Sequence, residues 1–178
     1  MKKYTNIIFF TLYLVLNLCN GDEQTNKISK MRLKSSAFQN EGQIPKEYTC
    51  FGKNISLPLT ISGVKKDTKS ILLLMVDKES SKIPDQEICW FIYNVPPETK
   101  EIFANKLPKK ASLGSASNGY NKYSGPCQKN YGVHHYYISL YALDIVLPQG
   151  ITTLKEASNL MDGHLIDYTK LMGTYSRF

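Results

Sequence analysis

The chain lacks the short signatures by which many enzymes and metal proteins are recognised. Its 178 residues contain no HExxH, no CxxC pair, no GxGxxG fingerprint, no P-loop and no GxSxG elbow. The usual zinc, dinucleotide, nucleotide and serine-hydrolase sites are therefore not expected. The sequence predicts no cofactor and no metal ion, and it favours a protein that is not an enzyme.

Acidic residues and tryptophan are also scarce. Fifteen Asp and Glu against 22 Lys and Arg give a formal net charge of +7. The longest basic runs, GVKKDTK and LPKKAS, lack interleaved aromatic residues, so a nucleic-acid partner is not expected. One Trp against twelve Tyr and seven Phe favours strands. A hydrophobic content of 42% with 21% charged residues is typical of one globular domain.

The longest apolar segment, IIFFTLYLVL, falls short of the roughly 20 residues that a membrane-spanning helix needs. Two lysines precede it and two acids follow it, which is the layout of a secretory signal peptide over residues 1–21. An uncleaved N-terminal anchor and lipidation at Cys19 stay open as alternatives. We therefore expect a periplasmic or secreted protein, which contacts the membrane only through its N-terminal segment if that segment is not cleaved.

Cysteine is sparse as well. Removal of the leader would leave Cys50, Cys89 and Cys127 in an oxidising compartment. An odd number of cysteines allows one intramolecular disulfide at most and leaves one thiol over. The cysteine count alone does not identify the pair.

Hydrophobic patterning predicts a β-rich domain over residues 31–178, after a loose lead-in at 22–30. The segment that begins at Met31 alternates as a half-exposed strand does. Continuous apolar runs predict strands that are buried on both faces, at 70–77, 89–97 and 134–143.

Helical signals are confined to the end of the chain. Thr153 with Glu156 three residues later forms a capping-box pattern, and apolar residues follow at helical spacing until Gly163. The closing segment HLIDYTKLMGTYSRF leaves room for one more short helix.

Charged and polar side chains lie at the ends of two predicted strands. Asp77 ends one apolar run, and Glu79 follows it. His134 begins another run just after a glycine-rich stretch, and Tyr136 shares its face of the strand. Glycine-rich turns can present backbone N–H groups to an anion, and an imidazole adds a further donor. In the alternative interpretation, Asp77 is an ordinary loop residue and His134 a hydrogen-bonded core histidine.

The adjacent histidines do not suit a shared site. Successive side chains of a strand point to opposite faces, so His134 and His135 cannot both reach one metal ion. The third histidine, His164, lacks ligand spacing to either.

Several separated segments together resemble one known family. They are SAFQNEGQIPKEYTCFGKNISLPLTISGV, TKSILLLMVD, CWFIYNVP, YSGPC and GVHHYYISLYALD. In this order they are similar to the bacterial branch of the phosphatidylethanolamine-binding protein family, whose animal member is Raf kinase inhibitor protein. The similarity runs from about Ser35 to the closing LMGTYSRF.

The resemblance implies a mainly β, α+β fold. A large central antiparallel sheet is expected with a smaller sheet and one or two C-terminal helices. A small cavity at the strand ends is also implied, which accepts anionic groups such as the phosphate of a phospholipid head. Carried over to this chain, the ligand-binding residues would be Asp77, Glu79, Cys89, Gly125, Pro126, His134 and Tyr136.

This chain departs from the family pattern at several of these positions. Cys89 stands where the family has a pocket histidine, and His135 stands where it has an arginine. Gln128 and Lys129 replace two prolines. Lys78 adds a positive charge between the two acids Asp77 and Glu79.

The resemblance also implies the disulfide. Cys50 and Cys127 fall where bacterial members often carry cysteine. Their pairing would leave Cys89 as the free thiol.

The function implied is a non-enzymatic, exported domain that binds a small anionic ligand or a phospholipid head group. One alternative is a protein-interaction module that inhibits a kinase or a protease through loops such as 98–124, with no partner identified. A second alternative is a hydrolase with Cys89 as nucleophile and His134 as base, for which the sequence offers no third group.

Overall fold

The computed structural model describes residues 29–80, 87–128 and 131–177. The predicted signal peptide and most of the lead-in lie outside these ranges, so both stay predictions. Within the described ranges, no helix combines the length and the apolar character that a bilayer span requires.

The described residues form two antiparallel sheets and one α-helix. The larger sheet has the strand order β6-β4-β3-β7-β8, and the smaller sheet has the order β1-β2-β5. This architecture confirms the mainly β fold. The strands are β1 (Arg32–Ser35), β2 (Leu59–Ser62), β3 (Ser70–Asp77), β4 (Glu87–Val95), β5 (Glu101–Ile102), β6 (Ser112–Leu113), β7 (Gly132–Leu143) and β8 (Leu165–Arg177); the helix is α1 (Leu154–Met161), and a short 3-10 helix covers Lys46–Tyr48.

Strand β3 is buried along its whole length because both of its edges and both of its faces are covered. Strands β4 and β7 pair with it on either side. Ile71, Leu73 and Met75 pack into the cluster that holds the apolar side chains of the smaller sheet. The alternate residues of β3 pack into a second cluster that includes Ala157 of α1. The continuous apolar run in the sequence therefore reflects a strand between two apolar layers.

Helix α1 begins at the capping box that the sequence indicates. The Thr153 hydroxyl accepts a hydrogen bond from the Glu156 backbone N–H at 3.2 Å, and the helix ends at Met161. Its buried residue is Ala157, which packs on the larger sheet.

The closing segment, in which the sequence allows a second short helix, forms strand β8 instead. It pairs with β7 from Gly132↔Arg177 to Leu143↔Leu165. Asp167, Leu171, Gly173 and Tyr175 are buried, and they are two or four residues apart, as residues on one face of a strand are. Pairing along the whole of β7 therefore prevails over a local pattern that was also compatible with a helix.

Candidate functional site

A buried acid–imidazole pair lies where β3 ends and β7 begins. In the antiparallel pairing of β3 with β7, Asp77 lies opposite Tyr136. His134 is two residues before Tyr136 in β7, so its side chain lies on the same face of the sheet. The Nδ1 atom of His134 lies 2.8 Å and 3.1 Å from the two carboxylate oxygens of Asp77. Asp77 is 4% exposed and His134 9% exposed. The structure thus brings together the two side chains on which the predicted site depends.

A second acid–imidazole pair lies beside the first but faces solvent. The Nδ1 atom of His135 lies 2.7 Å from Oε1 of Glu79, and its backbone N–H donates to Oε2 at 2.6 Å. Burial by itself would raise the pKa of Glu79, but the hydrogen bonds and the charge of His135 outweigh it and hold the pKa below its usual value. Glu79, expected as the second acid of the pocket, is therefore held by His135.

Two backbone N–H groups hold the turn after β3 in place through hydrogen bonds. The Glu79 N–H donates to Oδ1 of Asp77 at 3.0 Å, and the Lys78 N–H donates to the His135 carbonyl at 3.1 Å. Both carboxylate oxygens of Asp77 therefore accept hydrogen bonds, and its charge is held in one place.

Tyr136 lies in the interior behind the first pair. It has no exposed surface, and its hydroxyl donates to Oε1 of Gln128 at 3.3 Å. Burial and the charge of Asp77 raise the pKa of Tyr136 far above its usual value, so the hydroxyl keeps its proton. The family resemblance implies Tyr136 as a site residue, but the sequence does not reveal the role of Gln128, because a polar residue in a loop carries no pattern that indicates burial.

Cys89 is the free cysteine of the described residues, and it is buried. Its Sγ atom lies 3.6 Å from the carbonyl oxygen of Glu87. Burial raises the pKa of the thiol strongly, and the charges of Asp77 and Glu87 raise it further. A protonated, buried thiol is a poor nucleophile, which weakens the hydrolase alternative.

The Gly125–Pro126 turn is held against the segment around residue 50. The Gly125 N–H donates to Oδ1 of Asn54 at 2.9 Å, and the Pro126 carbonyl accepts from the Cys50 N–H at 3.1 Å. A Cβ atom at Gly125 would overlap the Tyr48 carbonyl oxygen, so only glycine fits this approach. The Gly125 N–H, which we expected to face an anion, therefore donates to Asn54 instead. The turn fixes the course of the chain beside the site but offers no N–H at Gly125 to an anion.

Cys50 and Cys127 form a disulfide bond across the same contact. This is the pair that the family resemblance implied. The Tyr123 hydroxyl donates to the Tyr48 carbonyl at 2.8 Å, and the Ser124 N–H donates to the Cys89 carbonyl at 2.8 Å. The segment that leads to Gln128 is thus tied both to the segment around Cys50 and to β4.

Asp77, Glu79 and His134 also have the composition of a divalent-cation site. Their nearest ligand atoms all lie within 4.8 Å of one another. However, each carboxylate already accepts a hydrogen bond from an imidazole Nδ1, and a cation would have to displace these donors. The geometry therefore favours hydrogen-bonded acid–imidazole pairs over a metal centre.

Three surface hollows lie away from this cluster. A hollow of about 460 Å³ borders α1 and the start of β8, lined in part by Met161 and Leu165. Two others, of about 300 Å³ and 340 Å³, share Pro96 and Glu98 beyond the far end of β4. None of the three is lined by a residue of the candidate site.

Two antiparallel sheets and a buried acid–imidazole pair at the ends of central strands define a β-sheet protein with a polar site at the strand ends. The sequence profile of the phosphatidylethanolamine-binding protein family matches residues 34–176. The chain belongs to this family, and the resemblance seen in its motifs is confirmed.

Individual relatives agree with this assignment. A UPF0098 protein of Methanothermobacter thermautotrophicus is 39% identical over 154 residues, which span 83% of this chain and 99% of the relative. The crystal structure of a phosphatidylethanolamine-binding protein homologue from Chlamydia trachomatis is 34% identical, with a TM-score of 0.79 over 84% of this chain and 99% of the other. An E. coli protein described as a new member of the mammalian family shares the fold, with a TM-score of 0.77 and 22% identity over 84% of this chain and 99% of the other.

Proposed function

We propose that this chain is an exported binding domain that holds a small phosphate-like anion at the Asp77–His134 pair and does not convert it. The observation that carries the proposal is the buried contact of 2.8 Å between the carboxylate of Asp77 and Nδ1 of His134. A protonated imidazole can donate from both ring nitrogens, to Asp77 through Nδ1 and to an anion through Nε2. Membership of the family supports a ligand-binding role.

The two ring nitrogens of His134 have different tasks. An ionised carboxylate can only accept hydrogen bonds, so Nδ1 must carry the proton shared with Asp77. Nε2 carries a proton only when the ring is charged, and it then becomes the donor to an anion. Anion binding at this pair therefore requires the imidazolium form of His134.

The surrounding charges lead to the same requirement. Asp77, Glu79 and Lys78 together carry a net charge of −1 if both neighbouring histidines are neutral. The net charge becomes +1 if both histidines are protonated. An anion is therefore repelled by the first state and attracted by the second.

His134→Ala is expected to weaken binding of inorganic phosphate roughly 10- to 100-fold, because one hydrogen bond from a charged donor is lost. Isothermal titration calorimetry measures the change. The matched control is His164→Ala, whose Nδ1 also lies 2.8 Å from a carboxylate oxygen, that of Asp144, but whose side chain is 43% exposed. Equal affinity of the two variants, or no phosphate binding by the unaltered protein, would refute the proposal.

Export of the domain is part of the same proposal. It is supported by the leader-like residues 1–21 and by the Cys50–Cys127 disulfide, a bond typical of oxidising compartments. We expect the protein recovered from the periplasm or the culture medium to begin at Asp22. Its intact mass measures this directly, and a mass that retains the leader would instead support the uncleaved anchor.

A further inference from the structure

The Gln128 side chain is a buried amide whose orientation is fixed by its neighbours. It is 4% exposed, and its Nε2 atom donates to the Tyr175 carbonyl at 3.1 Å. A carbonyl oxygen only accepts hydrogen bonds, so the amide nitrogen must face Tyr175. The amide oxygen therefore faces the other partner, the Tyr136 hydroxyl at 3.3 Å.

This orientation decides where the Tyr136 proton lies. The amide oxygen only accepts, so the hydroxyl of Tyr136 must donate to it. Tyr136 has no exposed surface, so its hydroxyl is enclosed by neighbouring groups, and the Gln128 amide oxygen is one of them.

We propose that Gln128 is a built-in competitor for the ligand and thereby a specificity-determining residue of the site. Its amide oxygen occupies the acceptor position that an oxygen of the bound anion would take beside Tyr136. The ligand gains the Tyr136 hydrogen bond only by displacing this side chain. The inference rests on the proposed anion-binding function.

The backbone on the N-terminal side of Gln128 is held in place. Cys127, the preceding residue, is bonded to Cys50, and the Pro126 carbonyl accepts from the Cys50 N–H. The main chain leading to Gln128 is therefore anchored, and the displacement that we propose is a movement of the Gln128 side chain alone.

A neutral competitor selects among ligands by their charge. Hydrogen bonds to charged oxygens are roughly twice as strong as those to neutral ones. A phosphate dianion carries two charges on its oxygens and a carboxylate carries one. A phosphate oxygen therefore replaces the amide oxygen of Gln128 with a larger net gain than a carboxylate oxygen, and a neutral oxygen replaces it with none. The site thus favours multiply charged anions over singly charged carboxylates and neutral compounds.

The test is a double-mutant cycle read by calorimetry with inorganic phosphate and with acetate. Gln128→Ala is expected to raise phosphate affinity about tenfold, since the ligand no longer has to break two hydrogen bonds of a neutral amide. The gain should vanish in the Tyr136→Phe background, where no hydroxyl is there to be freed. Acetate affinity should rise at least as much, so that the preference for phosphate narrows.

The matched control is Gln149→Ala, an exposed glutamine whose amide oxygen accepts from the Ser112 hydroxyl at 2.8 Å. It should leave both affinities unchanged. Should Gln128→Ala not fold, Gln128→Ser is expected to give the same gain.

The outcomes separate the inference from the function on which it rests. If the unaltered protein binds phosphate and Gln128→Ala binds it equally or more weakly, the competitor role is overturned while the binding function stands. A gain that persists with Tyr136→Phe also overturns it. If neither the unaltered protein nor Gln128→Ala binds phosphate, both the function and the competitor role fail.

Discussion

Loss of the Cys50–Cys127 disulfide is expected to lower the free energy of unfolding by about 4 kcal/mol. The two cysteines are 77 residues apart, so the bond closes a long loop and removes many conformations from the unfolded chain. Urea unfolding of the unaltered protein and of the Cys50→Ala/Cys127→Ala variant measures the difference.

The unaltered protein with and without a phosphine reductant is the matched control, since only the covalent bond then changes. Both comparisons should give a similar loss. A loss below about 1 kcal/mol would show that noncovalent contacts, such as that of Tyr123 with the Tyr48 carbonyl, already restrict the chain as strongly as the bond does.

Sulfate affinity is expected to be lower in alkaline than in acidic buffer, by at most about tenfold per pH unit for one linked proton, because Nε2 of His134 donates only when the ring is charged. Sulfate is the probe because it keeps its charge near neutral pH, whereas phosphate titrates itself. The fall follows because the anion binds the imidazolium form, so binding takes up a proton. Calorimetry in two buffers of different ionisation enthalpy measures this uptake.

His164→Ala is the control for this pH dependence. Its acid–imidazole contact with Asp144 is equally short but lies elsewhere in the molecule, and its loss should leave the slope unchanged. A sulfate affinity that is flat with pH would contradict the protonation requirement.

The parts of this fold that the sequence predicts are those with a local physical signature. The run at 70–77 indicates a doubly buried strand because only a strand between two apolar layers tolerates apolar side chains on both faces. Thr153 and Glu156 indicate the start of the helix because capping is a local hydrogen bond. The meeting of Asp77 and His134 follows from family resemblance, since no local pattern sets the register of two strands 57 residues apart.

The parts that the sequence did not predict depend on distant partners. Strand β8 is formed by pairing with β7. Its own sequence contains no apolar run long enough to predict a strand. His135 faces away from Asp77, as strand alternation requires, but its contact with Glu79 depends on how the turn after β3 folds back. Gln128 lies in a polar loop, and only the three-dimensional structure brings its amide between Tyr136 and Tyr175.

All three histidines of this chain contact a carboxylate oxygen through Nδ1, at 2.7 to 2.8 Å, yet their side chains range from nearly buried to about 40% exposed. Their neutral forms must share one tautomer, so a difference of tautomer does not complicate the comparison of their nitrogen resonances. The three rings therefore allow an internal comparison, in nuclear magnetic resonance spectra, of the same contact at different exposures. His164 and His135 supply the solvated reference signals against which the interior ring can be followed during a titration.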